Sequence, residues 1–375
     1  MVVGQKSCDV LIAGGGPAGL AAAIALRQRG ADVLVADALR PPIDKPCGEG
    51  LMPDSRRELA RLGVNLDDRY GMRFAGIRFS DGDAQVTAPF PCGVGLGVRR
   101  PLLHRLLLER AAELGVRTAW NAPVAMREQN AALVGGELCA FRWLMGADGH
   151  ASRVRAWAGL DPADLRSKRF GFRAHFRVAP WSEYVEIHWG ERGQAYVTPV
   201  GPQEICVAAM SRHSDVRLTQ IVESIPFLRK KLAGAHVSSA ERGALTLTRS
   251  LQRVTRGNVA LIGDASGSAD AITGEGLAMG FRQALLLAES LANGGLELYE
   301  ARHAGILSLP QQMAAVMLLL DRYAWLRRRA LPVLAARPEL FRAMLAVHVG
   351  EASLPKFLLR HGLEFGTLLA LPQLA

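Results

Sequence analysis

A strand, a glycine-rich turn and a helix open this chain and constrain it more than any other feature. Residues 8–13 read CDVLIA, an apolar run of strand length. Gly14-Gly15-Gly16-Pro17-Ala18-Gly19 follows at once, and residues 20–29 (LAAAIALRQR) favour helix until Gly30 closes it. Gly14, Gly16 and Gly19 fit G-x-G-x-x-G. The first glycine allows the tight turn, the second lets backbone approach a pyrophosphate, and the third lets the helix pack closely on the strand. The helix N-terminus then faces the phosphate charge. Residues 31–36 (ADVLVA) form the next strand and lead into Asp37, an acid placed to accept hydrogen bonds from a ribose diol. Strand, turn, helix and acid in this order imply dinucleotide binding rather than a turn that only reverses the chain.

With 375 residues the chain is long enough for two closely joined domains. Apolar residues make up 49% and charged residues 21%, a balance that excludes disordered and fibrous classes. The first strand begins too early for a basic, apolar leader, and no run of about 18 uncharged apolar residues is present. A cytoplasmic protein is expected, at most peripheral to a membrane. Cys8, Cys47, Cys92, Cys139 and Cys206 contain no C-x-x-C pair. Free thiols are therefore expected, rather than a Cys47–Cys92 disulfide. The histidines include neither H-x-H nor H-E-x-x-H, so no metal is expected. The net charge of +10 comes largely from arginine in helical segments, notably Arg327-Arg328-Arg329. Such runs read as solvated helix faces, with contact to anionic lipid as the alternative. No helix-turn-helix, zinc or RNA-recognition signature accompanies the charge, so nucleic acid is not an expected partner.

Taken in order, residues 39–53 carry prolines and glycines that rule out a regular element. This loop follows the second strand of a nucleotide fold, where loops reach the ligand. Residues 54–62 read as a helix with Asp54 as N-cap. Residues 73–79 and 84–88 alternate across Ser80-Asp81-Gly82-Asp83 as a hairpin. Residues 93–97 read as a flexible connection, and residues 101–114 as an amphipathic helix. An apolar strand then runs into Gly146-Ala147-Asp148-Gly149. Residues 170–178, 184–189, 195–200, 204–210 and 244–249 read as antiparallel strands, with one helix over 218–232. Residues 259–263 (VALIG) return to a buried parallel-type strand, and residues 276–292 form a long helix. The remainder is helical and leucine-rich.

Three separated fingerprints now make a family recognisable: GGGPAG at 14–19 with Asp37; Gly146-Ala147-Asp148-Gly149 with Ser152 and Arg155; and Gly263-Asp264-Ala265 with Gly274-Glu275-Gly276-Leu277. Arg100, with Leu103 and His104, stands between them where this family places an arginine before a helix. The chain resembles the flavoprotein superfamily of p-hydroxybenzoate hydroxylase, which includes aromatic hydroxylases, geranylgeranyl reductases and flavin halogenases. The resemblance covers about the first 300 residues. It implies an α/β fold: a Rossmann-type FAD-binding domain, an inserted antiparallel-sheet (α+β) substrate domain and a helical C-terminal tail. The expected division is residues 1–72, 93–165 and 250–298; residues 73–92 and 166–249; and residues 299–375. The cofactor implied is FAD, with NAD(P)H as a transient electron donor, since no second G-x-G-x-x-G is present.

By the same resemblance, Gly14, Gly16, Pro17, Ala18 and Gly19 take the pyrophosphate, and Asp37 the adenosine ribose. Lys45, Cys47 and Gly48 lie by the ring, and Arg100 and Asp148 near the cofactor, Asp148 mainly as a structural residue. Asp264 accepts a ribityl hydroxyl. Gly274, Gly276, Leu277 and Ala278 meet the flavin N1–C2=O edge at a helix N-terminus. Several positions depart from the pattern. Asp37 replaces a more usual Glu, Ile272 a proline, and Ser266-Gly267 a histidine found in many hydroxylases. Residues 45–50 (KPCGEG) and 273–276 (TGEG) look more like the geranylgeranyl-reductase branch, and the tryptophan-rich halogenase motif is absent.

Candidate chemistry is sparse. Cys47 is either a proton donor or a packing residue. Arg173, His175 and Arg177 share one strand face, and Tyr184, Glu186 and His188 another. Solvent exposure is expected for these charged faces; a general base at His175 or His188 is the alternative. Tyr196 and Pro199 match a family stretch that lines the substrate pocket. The expected activity is an FAD-dependent oxidoreductase. A monooxygenase using NAD(P)H and oxygen on an apolar or aromatic molecule comes first. A reductase of isoprenoid-type double bonds is the alternative, and a non-catalytic flavin protein the third reading. The apolar tail is expected to cover the substrate domain or form a homodimer contact. Otherwise it touches lipid, and in each case it has little to do with FAD itself.

Overall fold

The computed structural model describes residues 6–161 and 165–370; residues 371–375 of the expected tail lie outside the described residues. The central sheet sets Val259–Leu261, Glu137–Gly146, Lys6–Ala13, Val33–Asp37 and Arg117–Trp120 side by side, all parallel. Both faces of Lys6–Ala13 are apolar. Val10 and Ile12 join one core cluster, and Leu11 and Ala13 another, as a strand covered on both sides requires. Helix α1 (Pro17–Arg27) packs on the first cluster with α2 (Pro53–Arg61), α3 (Arg100–Glu113) and, from the far end of the sequence, α7 (Gly276–Ala292). The short α4 (Arg153–Trp157) lies on the other face. In between, the chain builds α5 (Leu218–Glu223) and α6 (Pro226–Lys231).

The second sheet runs His236–Val237, Leu165–Arg177, Glu204–Ser211, Gly193–Gly201, Tyr184–Gly190, Gly76–Asp81 and Ala84–Pro89; Arg242–Arg249 also pairs with Leu165–Arg177. It is antiparallel except where Tyr184–Gly190 runs parallel to Gly76–Asp81. One face carries Phe172, Ala195, Val197 and Val207 against Ile221 and Leu228 of α5 and α6. The other carries Val185, Ile187 and Trp189 against the tail, namely α8 (Glu297–Arg322), α9 (Ala324–Ala336) and α10 (Pro338–His348), followed by α11 (Leu354–Ala370). The tail therefore covers one face of this sheet.

Several expectations change. The charged strand faces are not solvated: Arg173, His175, Glu186 and His188 are all buried, while Arg177 is exposed. Both faces of the sheet are covered, so a polar row has no route to water and must find partners inside. Residues 93–97 are no flexible connection. Gly95–Gly97 is the buried middle strand of a small sheet with Gly50–Leu51 and Met72–Phe74. A Cβ on Gly97 would stand 1.8 Å from the Pro199 carbonyl oxygen, so only glycine lets this strand lie against the large sheet. Asp54 does not cap α2; Met52 takes that position, and Asp54 is buried against Arg282. The helix expected over 218–232 breaks into α5 and α6 at Pro226, whose ring and missing N–H cannot continue it. Arg327 is neither solvated nor turned to lipid. Its Nε donates to Asp81 at 2.7 Å and its guanidinium lies over Trp189, while Arg328 and Arg329 are exposed.

α8 is long and apolar enough to cross a membrane by length and composition. One face of it is packed into protein through Tyr299, Leu307, Ala314 and Met317. Its buried His303 bonds to Ser266 and Gln283, which fixes the helix as part of the core.

Candidate active site

The parallel strands place their C-terminal ends in one row. Asp264 follows Val259–Leu261, Asp148 follows Glu137–Gly146, the glycine turn follows Lys6–Ala13, and Asp37 ends Val33–Asp37. Open α/β sheets bind ligands along this edge. The glycines divide the work as their sequence positions imply. Gly14 has φ of +114°, and a Cβ there would meet the Ala147 carbonyl at 2.4 Å; one on Gly19 would meet the Gly14 carbonyl at 2.0 Å. At Gly16 nothing lies within 4 Å, so this is the glycine whose missing side chain leaves room for a ligand. Pro17 starts α1 and Ala18 packs against Gly263 and Gly280, which fixes the helix N-terminus over the turn. His104 of α3 bonds to the Gly15 carbonyl at 2.8 Å, and burial pushes its pKa down, so it holds the turn as a neutral ring.

The acids differ in what they have left to offer. Asp37 accepts from the Gly15 and Leu39 amides at 2.7 and 2.8 Å, one oxygen each, which leaves lone pairs for hydroxyl donors. Asp148 accepts from Ser152 and from the Arg153 and Val154 amides, so it caps α4 and shapes the turn. Asp264 is exposed, with His150 Nε2 3.4 Å away.

The loop over residues 40–49 comes up to this row. Lys45 reaches toward Gly149, and at Gly48, Gly274 and Gly276 a Cβ would point into open space. Leu277 and Ala278 continue α7 from Gly276. Arg100 starts α3 with its Nε buried and without a hydrogen-bond partner among the described residues, a donor left unused beside the cradle formed by the glycine turn and the start of α7. Cys47 is half-buried, and its sulfur accepts from the Glu49 amide at 3.4 Å. Cys47 and Cys92 are separate free thiols.

Glu49 is the residue that sequence reading passed over. It has φ of +59°, an uncommon conformation for a side-chain-bearing residue, and it is buried. Its Oε1 accepts from the Arg100 amide at 2.9 Å, and its Oε2 faces His175 Nε2 at 2.7 Å. His175 Nδ1 meets the Ser239 hydroxyl at 2.7 Å. The Cys206 sulfur lies near this pair, and the three donor atoms fall within 4.8 Å of one another. Direct bonding between Glu49 and His175, and a Cys206 thiol pushed well up by burial, describe a hydrogen-bonded pair beside a neutral thiol.

The candidate bases therefore separate. His175 lies on the sheet face that meets the loop. His188 lies on the opposite face, stacked on Phe227 of α6 and bonded to Glu186, so the sheet stands between it and the cradle. Burial alone would raise the Glu186 pKa, but hydrogen bonds from His188 and Trp181 bring it below the usual range. Tyr196 faces the cradle, its hydroxyl held by Gln194 and by the Ile272 carbonyl at 3.1 Å each. Pro199 falls on the other face, beside Trp181 and Ile205, and Thr198 instead approaches Gly50 and Gly97.

The FAD binding domain family matches residues 7–294, a span that holds every one of these elements up to α7. The chain belongs to this family. It is 30% identical over 314 residues to a menaquinone reductase of Mycobacterium tuberculosis H37Rv, covering 76% of this chain and 77% of that protein. It is 27% identical over 297 residues to a digeranylgeranylglycerophospholipid reductase of Methanosarcina acetivorans, covering 72% and 71%. Among solved structures, a p-nitrophenol 4-monooxygenase of Pseudomonas putida DLL-E4 superposes with a TM-score of 0.73 at 18% identity, covering 97% of this chain and 99% of that one, which shows the shared fold. The protein is an FAD-dependent oxidoreductase of this family, and the resemblance to p-hydroxybenzoate hydroxylase-type flavoproteins holds. The open space at Gly16, Gly48, Gly274 and Gly276 and the unused Arg100 donor fit an extended anionic dinucleotide.

Proposed function

We propose that this oxidoreductase reduces a carbon–carbon double bond in a prenyl chain carried by a lipid or lipid-soluble quinone. The observation that carries the reading is the apolar layer beside the cradle. Val185, Ile187 and Trp189 of the sheet pack with Phe341 and Leu345 of the tail, and the layer runs to Ile272 and Met279, on either side of the 273–276 turn. Such a layer suits an apolar chain. Tyr196, the phenol nearest the turn, has its hydroxyl already committed, which disfavours a site built to orient a polar aromatic ring. The names of the curated relatives point the same way.

Bound FAD, reduced by a donor such as NAD(P)H, would supply the hydride. The chain's own residues bind and orient. Gly14 to Gly19 and Asp37 hold the dinucleotide, Asp264 the ribityl chain, and the amides opening α7 the electron-rich edge of the ring. A proton must reach the second alkene carbon, and Cys47, on the same loop as Lys45, is the group we assign to give it. The Glu49 amide donating to its sulfur stabilises the thiolate left behind. A prenyl-lipid substrate also brings the protein to a lipid surface, and the exposed corner of α8 and α9, with Leu319, Trp325, Arg322 and Arg328, suits that contact.

The test is anaerobic turnover with NADPH and a geranylgeranylated lipid or menaquinone, followed by mass spectrometry. Gain of two hydrogens per event, lost in Cys47→Ala with FAD still bound, is the expected result. Oxygen-dependent gain of one oxygen atom on an aromatic substrate, with prenyl chains untouched, would instead establish the monooxygenase reading.

A further inference from the structure

Where α10 crosses the turn that begins α7, polar groups from distant parts of the chain meet away from water. His348, on the last turn of α10, sets Nε2 3.2 Å from the Thr273 carbonyl oxygen and Nδ1 3.6 Å from Glu275 Oε2. Glu275 is 1% exposed and immediately precedes Gly276. Among the described residues neither of its carboxyl oxygens has a hydrogen-bond partner of ordinary geometry; His348 and the Thr273 side chain are polar neighbours. Asp54 of α2, equally buried, pairs with Arg282 of α7 through one oxygen and leaves the other without a partner. These groups, from α2, α7, α10 and the turn itself, are the charged and titratable neighbours of Glu275.

We propose that His348 is a positioning residue for the flavin cradle, through which α10 of the C-terminal tail sets the conformation and charge of the Thr273–Gly276 turn. The inference rests on the reading in which the amides opening α7 receive the flavin N1–C2=O edge. The proton count explains the coupling. Donation from Nε2 to the Thr273 carbonyl leaves Nδ1 facing Glu275. That contact is attractive when one proton is shared between ring and carboxyl, as neutral imidazole with carboxylic acid or as imidazolium with carboxylate. Once the proton is lost, a buried carboxylate faces a nitrogen lone pair, with Asp54 close by. A buried charge without a donor is costly, so the turn loosens, and the new negative charge competes with the one that the helix N-terminus would stabilise on the reduced ring. Burial already pushes the Glu275 pKa up, Asp54 adds to this, and His348 and Arg282 oppose it, as a shared proton requires.

The experiment uses the full-length holoprotein and its reconstituted apoprotein, with two readouts: FAD affinity by flavin fluorescence and the midpoint potential of bound FAD as a function of pH. In His348→Ala, about tenfold weaker FAD binding is expected, the loss of roughly one hydrogen bond to the turn, with a midpoint potential displaced from the parental value. His348→Gln can still donate to Thr273 but cannot share a proton with Glu275. It should recover the affinity while flattening the pH dependence of the potential beyond that of free FAD. A purely structural role would lower the melting temperature of both variants and leave the pH dependence unchanged, which would overturn the proposal. So would a parental affinity and potential in His348→Ala. Gly276→Val separates the two readings. If it binds FAD normally, the cradle assignment itself fails; if it loses FAD while both His348 variants match the parent, only the present inference fails.

Discussion

Glu49 Oε2 and His175 Nε2 lie 2.7 Å apart, and the side chain of neither residue has any exposed surface. The contact joins a loop that has no regular structure from residue 40 to residue 49 to strand Leu165–Arg177 of the second sheet. It also explains how a residue with positive φ is tolerated. Glu49 spends one carboxyl oxygen on the Arg100 amide at the start of α3 and the other on the sheet, and those two anchors outweigh the local backbone cost of roughly 1–3 kcal/mol.

Removing one partner should therefore cost far more than removing a surface pair. His175→Ala leaves a carboxylate buried without its donor, and a loss of about 3–5 kcal/mol is expected in urea denaturation. Ser239→Ala leaves the pair itself intact and removes two neutral hydrogen bonds, one at Nδ1 and one from the His175 amide, so it should cost about 1–2 kcal/mol. Equal, small losses in the two variants would mean that the pair carries no special weight.

The glycine turn permits a test that separates folding from binding. Gly14→Ala and Gly19→Ala place a Cβ against backbone oxygens at 2.4 and 2.0 Å, so the apoprotein itself should be destabilised, whatever happens at the phosphate. Gly16→Ala meets nothing of the protein and should melt like the parent while binding FAD at least tenfold more weakly, because the methyl group takes ligand space. Calorimetry of the apoproteins beside FAD titration reads both. Normal FAD affinity in Gly16→Ala would move the pyrophosphate elsewhere.

The parts of this site that were legible in sequence are those where backbone geometry leaves no choice of residue. Gly14 and Gly19 each answer a steric demand that no other residue meets, Gly16 leaves open space beside the turn, and an acid after an apolar strand marks the sheet edge. Arg173, His175, Glu186 and His188 were misread because strand alternation tells which side chains share a face but not what covers it. Both faces turned out to be covered, so the polar row became an interior network. His348 was invisible for a different reason. Its contact with Thr273 spans 75 residues of sequence, and a histidine near the end of an apolar helix has no local signature. The one available hint lay at Glu275, an acid between two glycines in a turn where a charge needs a partner from elsewhere.

His303 should make the fold acid-sensitive. Burial holds its pKa down at about 4, against 6.5 for a free imidazole. The unfolded chain thus binds a proton that the folded one refuses between those values. Stability contributed by the neutral ring is complete above the unfolded value and is lost as pH falls toward 4, a change on the order of 3 kcal/mol. His303→Gln, which keeps a polar side chain near Ser266 and Gln283, should lose less stability than the parent between pH about 7 and about 5. Urea midpoints at the two pH values check this, and identical slopes in parent and variant would assign the acid sensitivity to other groups.

The last prediction concerns the corner of α8 and α9. Val316, Leu319 and Trp325 are 43%, 49% and 62% exposed, and Arg322 and Arg328 are exposed beside them. The basic run does not act as one unit, because Arg327 is turned inward to Asp81 and anchors the tail to the sheet. Lipid contact, if this corner makes it, depends on aromatic and aliphatic side chains entering the interface while the two outer arginines meet anionic headgroups. Burying side chains of this kind contributes roughly 1.5–3 kcal/mol each. Leu319→Ala combined with Trp325→Ala should therefore abolish flotation with phosphatidylglycerol-containing vesicles, while FAD content and melting temperature remain parental because neither side chain is buried. Arg328→Ala should weaken flotation at low salt and matter little at high salt, where headgroup charge is screened. Arg327→Ala should instead lower the melting temperature, since it strips Asp81 of its partner. Failure of the parent protein to float with anionic vesicles at low salt, together with a dimer in solution that Trp325→Ala dissociates, would assign the same corner to a second copy of the chain.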